Sequence, residues 1–339
     1  MEWNEEKAQE IVQKHKERFS IKLALQMIRV FVLIFILFSV YKIVLDIVYD
    51  SSKFGKRTEF YQKLAVDWKY PELSGDLGTS HLNEISSFFT QKITFPLEKR
   101  IGTGEYIEAE LTLTKPLITA FSTITINGKA PYDALNNQFS FDLPINPETG
   151  KTLSGYKSPN VWKTLEMVHE GNVANLAFSL DDYYTPKEIV QLMENYDIDI
   201  LWMPIYMGEL QSFREGGWGG GTDTMALSSP WGLAGAREMD KDYRGGSLYP
   251  LLNEGEIEES ERAMLKNMDE MLATNKRLAE VLLSTEHLQE RADYLREEGF
   301  QAYGAVVTGP VKELLKLQEV EGIRSIQLGE IKHWNWRKD

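Results

Sequence analysis

Apolar positions fall into three regimes along the chain, and the most extreme is the run Val30 to Tyr41, VFVLIFILFSVY. As a helix these residues cover only ~18 Å, short of the ~30 Å hydrocarbon layer of a bilayer. The apolar character continues through Leu23, Leu25, Met27 and Ile28 on one side and Ile43, Val44, Leu45, Ile47 and Val48 on the other. That lengthens the pattern to ~26 residues with charges near its ends, enough for a transmembrane helix over residues 23–49. Arg29 and Lys42 can send their charged heads toward the two interfaces, and Lys42 and Asp46, four apart, share a helix face on which they can pair. An interfacial helix and a buried core helix are the competing readings. A cleaved signal peptide fits poorly, because the apolar centre starts late and no small-x-small pattern follows it. Flanking charge hardly orients the span: Lys14, Lys16, Arg18, Lys22 and Arg29 precede its centre, and Lys53, Lys56, Arg57 and Lys63 follow.

Before the span the pattern is sparse. In residues 3–20, WNEEKAQEIVQKHKERFS, the positions Ala8, Ile11, Val12, His15 and Phe19 recur at steps of three and four and gather along one side of a helix. Two readings fit: a solvated helix leading into the membrane, or a recognition helix whose narrow apolar stripe enters a partner's groove. The sequence alone does not separate them.

After the span the periods become shorter and mixed. Residues 53–103 read as a mixed juxtamembrane segment, with Leu82 to Thr90 and a Pro-Leu turn at 96–97. Tyr106 to Thr114 alternates as a strand, Leu117 to Ile126 reads as a second, Asn127-Gly128 supplies a turn, and Phe139 to Leu143 is a candidate third. Asn160 is placed to cap a helix through roughly His169, with Val161, Leu165 and Val168 inward. Two later segments share an order of elements: strand 174–180, helix Pro186 to Tyr196, strand 199–207; then strand 301–308, helix Pro310 to Val320, strand 323–328. Thr185-Pro186 with Glu188 combines a cap, a proline at the first helical position and a capping-box partner. Between them Glu256 to Glu298 carries Met264, Met268, Met271, Leu278, Leu282, Leu288, Ala292 and Leu295 on a recurring face, with Ser284 and Thr285 as caps between two helices. Two strand-helix-strand units joined by a long helical crossover predict an α+β fold with helices on one side of a sheet.

Composition narrows the function. Residues 1–49 are nearly neutral, whereas residues 50–339 carry 30 basic against 45 acidic side chains, a surface that repels nucleic-acid phosphates. There is no cysteine, which removes disulfides, thiolate chemistry and cysteine-based metal sites. His15, His81, His169, His287 and His333 lie dozens of residues apart, and His169-Glu170 lacks the second histidine of a zincin. The loop FREGGWGGGTD, 213–223, has no lysine after its glycines to reach a phosphate, so it reads as a flexible loop first and a ligand loop second. Trp218 and Trp231 either form a partner surface or pin that loop. Asp181 and Asp182 read as support for a helix start before acid/base chemistry, and Ser228 and Ser229 stand in no nucleophile elbow. No catalytic residue, metal or cofactor is expected.

The short charged tail and single span, followed by NLAFSLDDYYTPKEI at 175–189 and DIDILWMPIYMGE at 197–209, resemble the sigma-factor regulator proteins of Gram-positive bacteria. These are membrane-bound anti-sigma factors that restrain extracytoplasmic-function sigma factors. The resemblance implies a cytoplasmic tail over 1–22, a transmembrane helix over 23–49, a juxtamembrane segment over 50–103 and an extracytoplasmic α+β regulator domain over 104–339. It implies that the tail contacts the sigma factor, with Ile11, Val12 and Phe19 as the contact residues, metal-free because the tail lacks a His and Cys pattern. A second small membrane protein is a further implied partner, and the lipid bilayer another. The alternative is a membrane-tethered extracytoplasmic binding or assembly module with no transcriptional role.

Overall fold

The computed structural model describes residues 5–75, 82–117, 121–128, 139–156, 158–243, 245–334 and 336. The chain divides into two compact units, Met1–Ser52 and Lys53–Asp339.

The first unit is one helix, α1 (Glu5–Ser51), 47 residues long. At 1.5 Å per residue it extends about 70 Å. It contains neither glycine nor proline, so nothing interrupts its hydrogen-bond ladder. The junction expected at residues 22–23 is a change of side chains along an unbroken backbone. Among the described residues, the helix is the one long and apolar enough to cross a membrane, and its most apolar window is not buried at all. Lys42 Nζ lies 2.8 Å from Asp46 Oδ1, the pair that their spacing predicts. Ser39 Oγ donates to the Phe35 carbonyl at 2.8 Å, so the hydroxyl inside the apolar run is satisfied.

The second unit begins with α2 (Phe54–Lys69). It packs on a sheet made of β1 (Leu73–Gly75), β2 (Leu82–Ile85), β3 (Thr90–Ile101), β4 (Gly104–Pro116) and β5 (Thr123–Gly128). The strand order is β1-β3-β4-β5, with β2 also on β3, and every pairing is antiparallel. Ile93, Phe95 and Leu97 of β3 and Leu111 and Leu113 of β4 share one core with Phe60, Leu64 and Trp68 of α2. The described residues of 53–103, expected as a separate juxtamembrane segment, belong to the same compact unit as the rest of the body, and the boundary expected at 103–104 falls in the β3–β4 turn. The strand expected over Leu117 to Ile126 is β5 instead; residues 118–120 lie outside the described ones. Asn127 and Gly128 do not turn but pair with Glu110 and Ala109. A Cβ on Gly128 would meet that of Ala109 at 2.7 Å, so close strand approach explains the glycine. Phe139 to Leu143 makes a single bridge, Asp142 to Ala226, rather than a strand.

The remaining elements are α3 (Pro159–Met167), β6 (Asn172–Tyr184), α4 (Pro186–Met193), β7 (Asp199–Tyr206), β8 (Trp218–Gly221), β9 (Thr224–Leu227), β10 (Trp231–Ala234), β11 (Arg237–Met239) and β12 (Gly246–Leu248). They are followed by α5 (Ile257–Leu283), α6 (Leu288–Glu298), β13 (Gln301–Pro310), α7 (Val311–Lys316) and β14 (Ile323–His333). A five-stranded sheet runs β10-β7-β13-β6-β14, each neighbour antiparallel. β13 therefore sits between two strands, β6 and β7, that run parallel to each other. Leu176, Phe178, Met203, Ile205, Ala305 and Val307 turn to one face and share a core with α5, α6 and α7. Ala177, Trp202, Tyr206, Tyr303 and Val306 turn to the other, where Phe141, Leu143, Met225 and Leu227 cover them.

Local signals explain the element ends. At α4 the Thr185 side chain accepts from Glu188 N while Glu188 Oε2 accepts from Thr185 N at 2.8 Å, the reciprocal cap its sequence predicts. Asn160 is not a cap: α3 starts one residue earlier, on Pro159, with Ser158 at the cap position. α5 is kinked at Asn275, whose side chain accepts from Leu278 N at 3.1 Å and restarts the helix. It ends on Ser284 in the left-handed region, and Thr285 Oγ1 accepts from His287 N ahead of α6.

Candidate functional site

Ile11, Val12 and Phe19 lie on α1 with 67%, 59% and 70% of their surfaces exposed. At about 100° per residue Val12 and Phe19 nearly eclipse each other two turns apart, with Ile11 beside them. Together they form a narrow ridge. Lys14 Nζ meets Glu10 Oε1 at 2.8 Å nearby, an exposed pair of small energetic weight. The ridge offers apolar area bordered by both signs of charge, a surface suited to a groove and not to chemistry.

A buried cation, Arg291 of α6, ties several parts of the body together. It is buried, donates to Glu209 and to Glu215 Oε2 at 2.8 Å, and stacks over the rings of Trp231 at 4.6 Å and Phe213 at 4.8 Å. Glu215 opens the glycine-rich loop and also accepts from Thr285 Oγ1 at 2.7 Å. Burial works to raise the Glu215 carboxyl, but the hydrogen bonds from Thr285 and Arg291 and the guanidinium charge outweigh it and hold it below the ordinary carboxylate value. The rest of that loop is the hairpin β8–β9, with Trp218 half exposed and Trp231 buried against Trp68. Sequence reasoning missed Arg291, although Leu288, Arg291, Ala292 and Leu295 repeat at helical core spacing.

A second buried pair, Arg237 to Asp67 at 2.5 Å, ties β11 to α2, and Trp202 Nε1 donates to the Asp67 carbonyl at 3.1 Å. Tyr183, Tyr206 and Tyr294 pack ring against ring. Burial first, and neighbouring phenols and Glu209 next, push Tyr183 and Tyr206 well above the usual phenol range, so both stay protonated at physiological pH. Asp181 and Asp182 do not cap α4; they lie among the last residues of β6, accepting from the Tyr184 hydroxyl and the Tyr183 amide. Among the described residues no cluster of three His, Asp or Glu is placed to hold a metal. An open groove of about 680 Å³ beside β5 is lined by Phe121, Ile124, Glu215, Arg277, Glu280 and Thr285.

A long, mostly exposed apolar helix joined to a body whose buried cations Arg237 and Arg291 are held in structural pairs fits the class of membrane-anchored regulators. Residues 9–106 match the family described as Sigma factor regulator N-terminal, and residues 165–330 the family described as Sigma factor regulator C-terminal. The chain belongs to the sigma factor regulator family and is a non-enzymatic regulator. The N-terminal match begins beside Ile11 and runs past the β3–β4 turn, in line with the folded body beginning well before residue 104. The probable anti-sigma-M factor YhdL of Bacillus subtilis (strain 168) is 25% identical over 294 residues, covering 84% of this chain and 72% of that protein. No solved structure matches the chain.

Proposed function

We propose that this protein is a single-pass membrane anti-sigma factor. Its tail, residues 1–22, lies in the cytoplasm and binds an extracytoplasmic-function sigma factor, while the body from Lys53 onward lies outside and receives an envelope signal. A second small membrane protein is a further partner of the body in this reading. The observation that carries it is the exposed ridge of Ile11, Val12 and Phe19, on the same helix as the span and on its N-terminal side. The similarity to the probable anti-sigma-M factor of Bacillus subtilis supports the kind of partner. A tail that covers a surface the sigma factor needs for RNA polymerase lowers its active population by mass action, and tethering confines the pair to a thin layer of high effective concentration.

Replacing Ile11, Val12 and Phe19 together by Asp in the full chain is expected to abolish co-purification with the cognate sigma factor and to leave unfolding of the body unchanged. Undiminished binding would remove this ridge from the mechanism. A reporter fused after Asp50, read with protease access to intact cells, tests the topology separately.

A further inference from the structure

One end of the first sheet collects exposed aromatic side chains. The β2–β3 turn carries Phe88, 87% exposed, and Phe89, 41% exposed; just before β5 stands Phe121, 83% exposed. Strand register brings them together. Thr90 pairs with Pro116, Thr114 pairs with Thr123, and Leu117 N donates to the Phe89 carbonyl at 2.8 Å, so the three rings sit on neighbouring strand tips. The turn is firmly built: Ser86 N donates to Thr90 O at 2.8 Å, Ser86 Oγ accepts from Thr90 N at 3.1 Å, and Phe89 holds a φ of 57°, rare for a bulky side chain.

The same end holds the start of α2. Gln91 Nε2 donates to the Gly55 carbonyl at 3.4 Å, and Lys115 Nζ lies 5.8 Å from the centre of the Phe54 ring. Phe54 is the third residue after the end of α1 and the fifth after the expected span over 23–49, so only a short tether of chain separates this end from the span in sequence. Lys56 follows Gly55 on α2 and the exposed Lys92 follows Gln91 on β3, cross-strand from Glu84 and Thr114; both are cations that suit lipid phosphates on a body of net negative charge.

We propose that this end of the body is a second membrane contact, with Phe88, Phe89 and Phe121 set into the interfacial layer of the bilayer that α1 crosses and Lys56 and Lys92 beside headgroup phosphates. The proposal rests on the span reading. Exposed rings on adjacent tips, held at the surface by the chain, enter the interface without a separate encounter.

The chain has no cysteine, so single substitutions place a fluorescent label uniquely. Full-length protein in vesicles of phosphatidylcholine and phosphatidylglycerol would carry an environment-sensitive dye at Phe88→Cys, at Ser122→Cys, which keeps all three rings, at Thr103→Cys and at Ser39→Cys. Thr103 lies past the far end of β3, a 12-residue strand about 40 Å long. Nitroxide-bearing lipids are expected to quench positions 88 and 122 several-fold more than position 103. Phe88→Ser, Phe89→Ser and Phe121→Ser together are expected to return position 122 to the level of 103. Quenching at 88 and 122 equal to that at 103, with Ser39→Cys strongly quenched, would overturn this proposal alone. An unquenched dye at position 39 would overturn the span as well.

Discussion

On α1 the rings of Phe19, Phe31 and Phe35 are each 70% exposed, whereas Phe95, Phe141 and Phe178 in the body are fully buried. The residue type is the same, so the difference lies in what surrounds it. In the body two sheets and their helices enclose these three rings; along α1 nothing in the described residues covers Phe19, Phe31 or Phe35. Charge then divides α1 itself. Residues 7–22 interleave cations and anions with a thin apolar ridge, while Val30 to Tyr41 has no charge at all. The first pattern suits a protein groove and the second suits hydrocarbon, so one helix calls for two different coverings. The body, by contrast, covers these rings with its own side chains and holds the buried Arg291 between two carboxylates and two rings.

The contrast can be broken hardest at that arginine. Arg291→Ala strands the buried Glu209 and removes both ring contacts, and is expected to cost on the order of 3–5 kcal/mol in chemical unfolding followed by tryptophan fluorescence. Phe178→Ala follows, at about 3–5 kcal/mol without the stranded charge. Phe35→Ala and Phe19→Ala, scored by the same unfolding of the body, are expected to change it by less than about 0.5 kcal/mol. A loss at Phe35 matching that at Phe178 would end the comparison.

The smallest effect sharpens it. Glu215 has a folded carboxyl held below the ordinary 4.5, so its contribution is present above its unfolded pKa and is lost as pH falls through the lower folded value. The stability gap between the parent and Glu215→Gln is expected to be flat from neutral pH down to 4.5 and to shrink below it. Its size should stay below about 1 kcal/mol, because the group is partly solvated. A gap that widens on acidification would reverse the assigned direction.

Patterns closed within a few residues were legible in the sequence. The apolar run, the Thr185-Pro186-Glu188 cap and the Leu-rich face of α5 and α6 each carry their own periodicity or spacing. α2 was not legible, because FGKRTEFYQKLAVDWK reads as part of a mixed juxtamembrane segment. Its Glu59, Lys63 and Asp67 are buried, the first two as a pair at 3.1 Å and the third against Arg237, far along the chain. Local spacing hints at the first pair and cannot reveal the second. Asn127-Gly128 failed for the opposite reason, since a strong local turn signal lost to pairing with β4. The ridge of Ile11, Val12 and Phe19 was readable from its spacing, while Arg291 stood in plain helical register and was passed over because cations are seldom found inside unless paired.

The unbroken backbone of α1 has a mechanical consequence. With no hinge between its charged and oily stretches, the helix behaves as a drive shaft, and the azimuth of Val12 and Phe19 is geared to that of the Lys42–Asp46 face. Adding one residue between them would clock the ridge round by about 100°. Rotation imposed on the apolar stretch would be passed to the ridge along a continuous hydrogen-bond ladder, as torque instead of as slack.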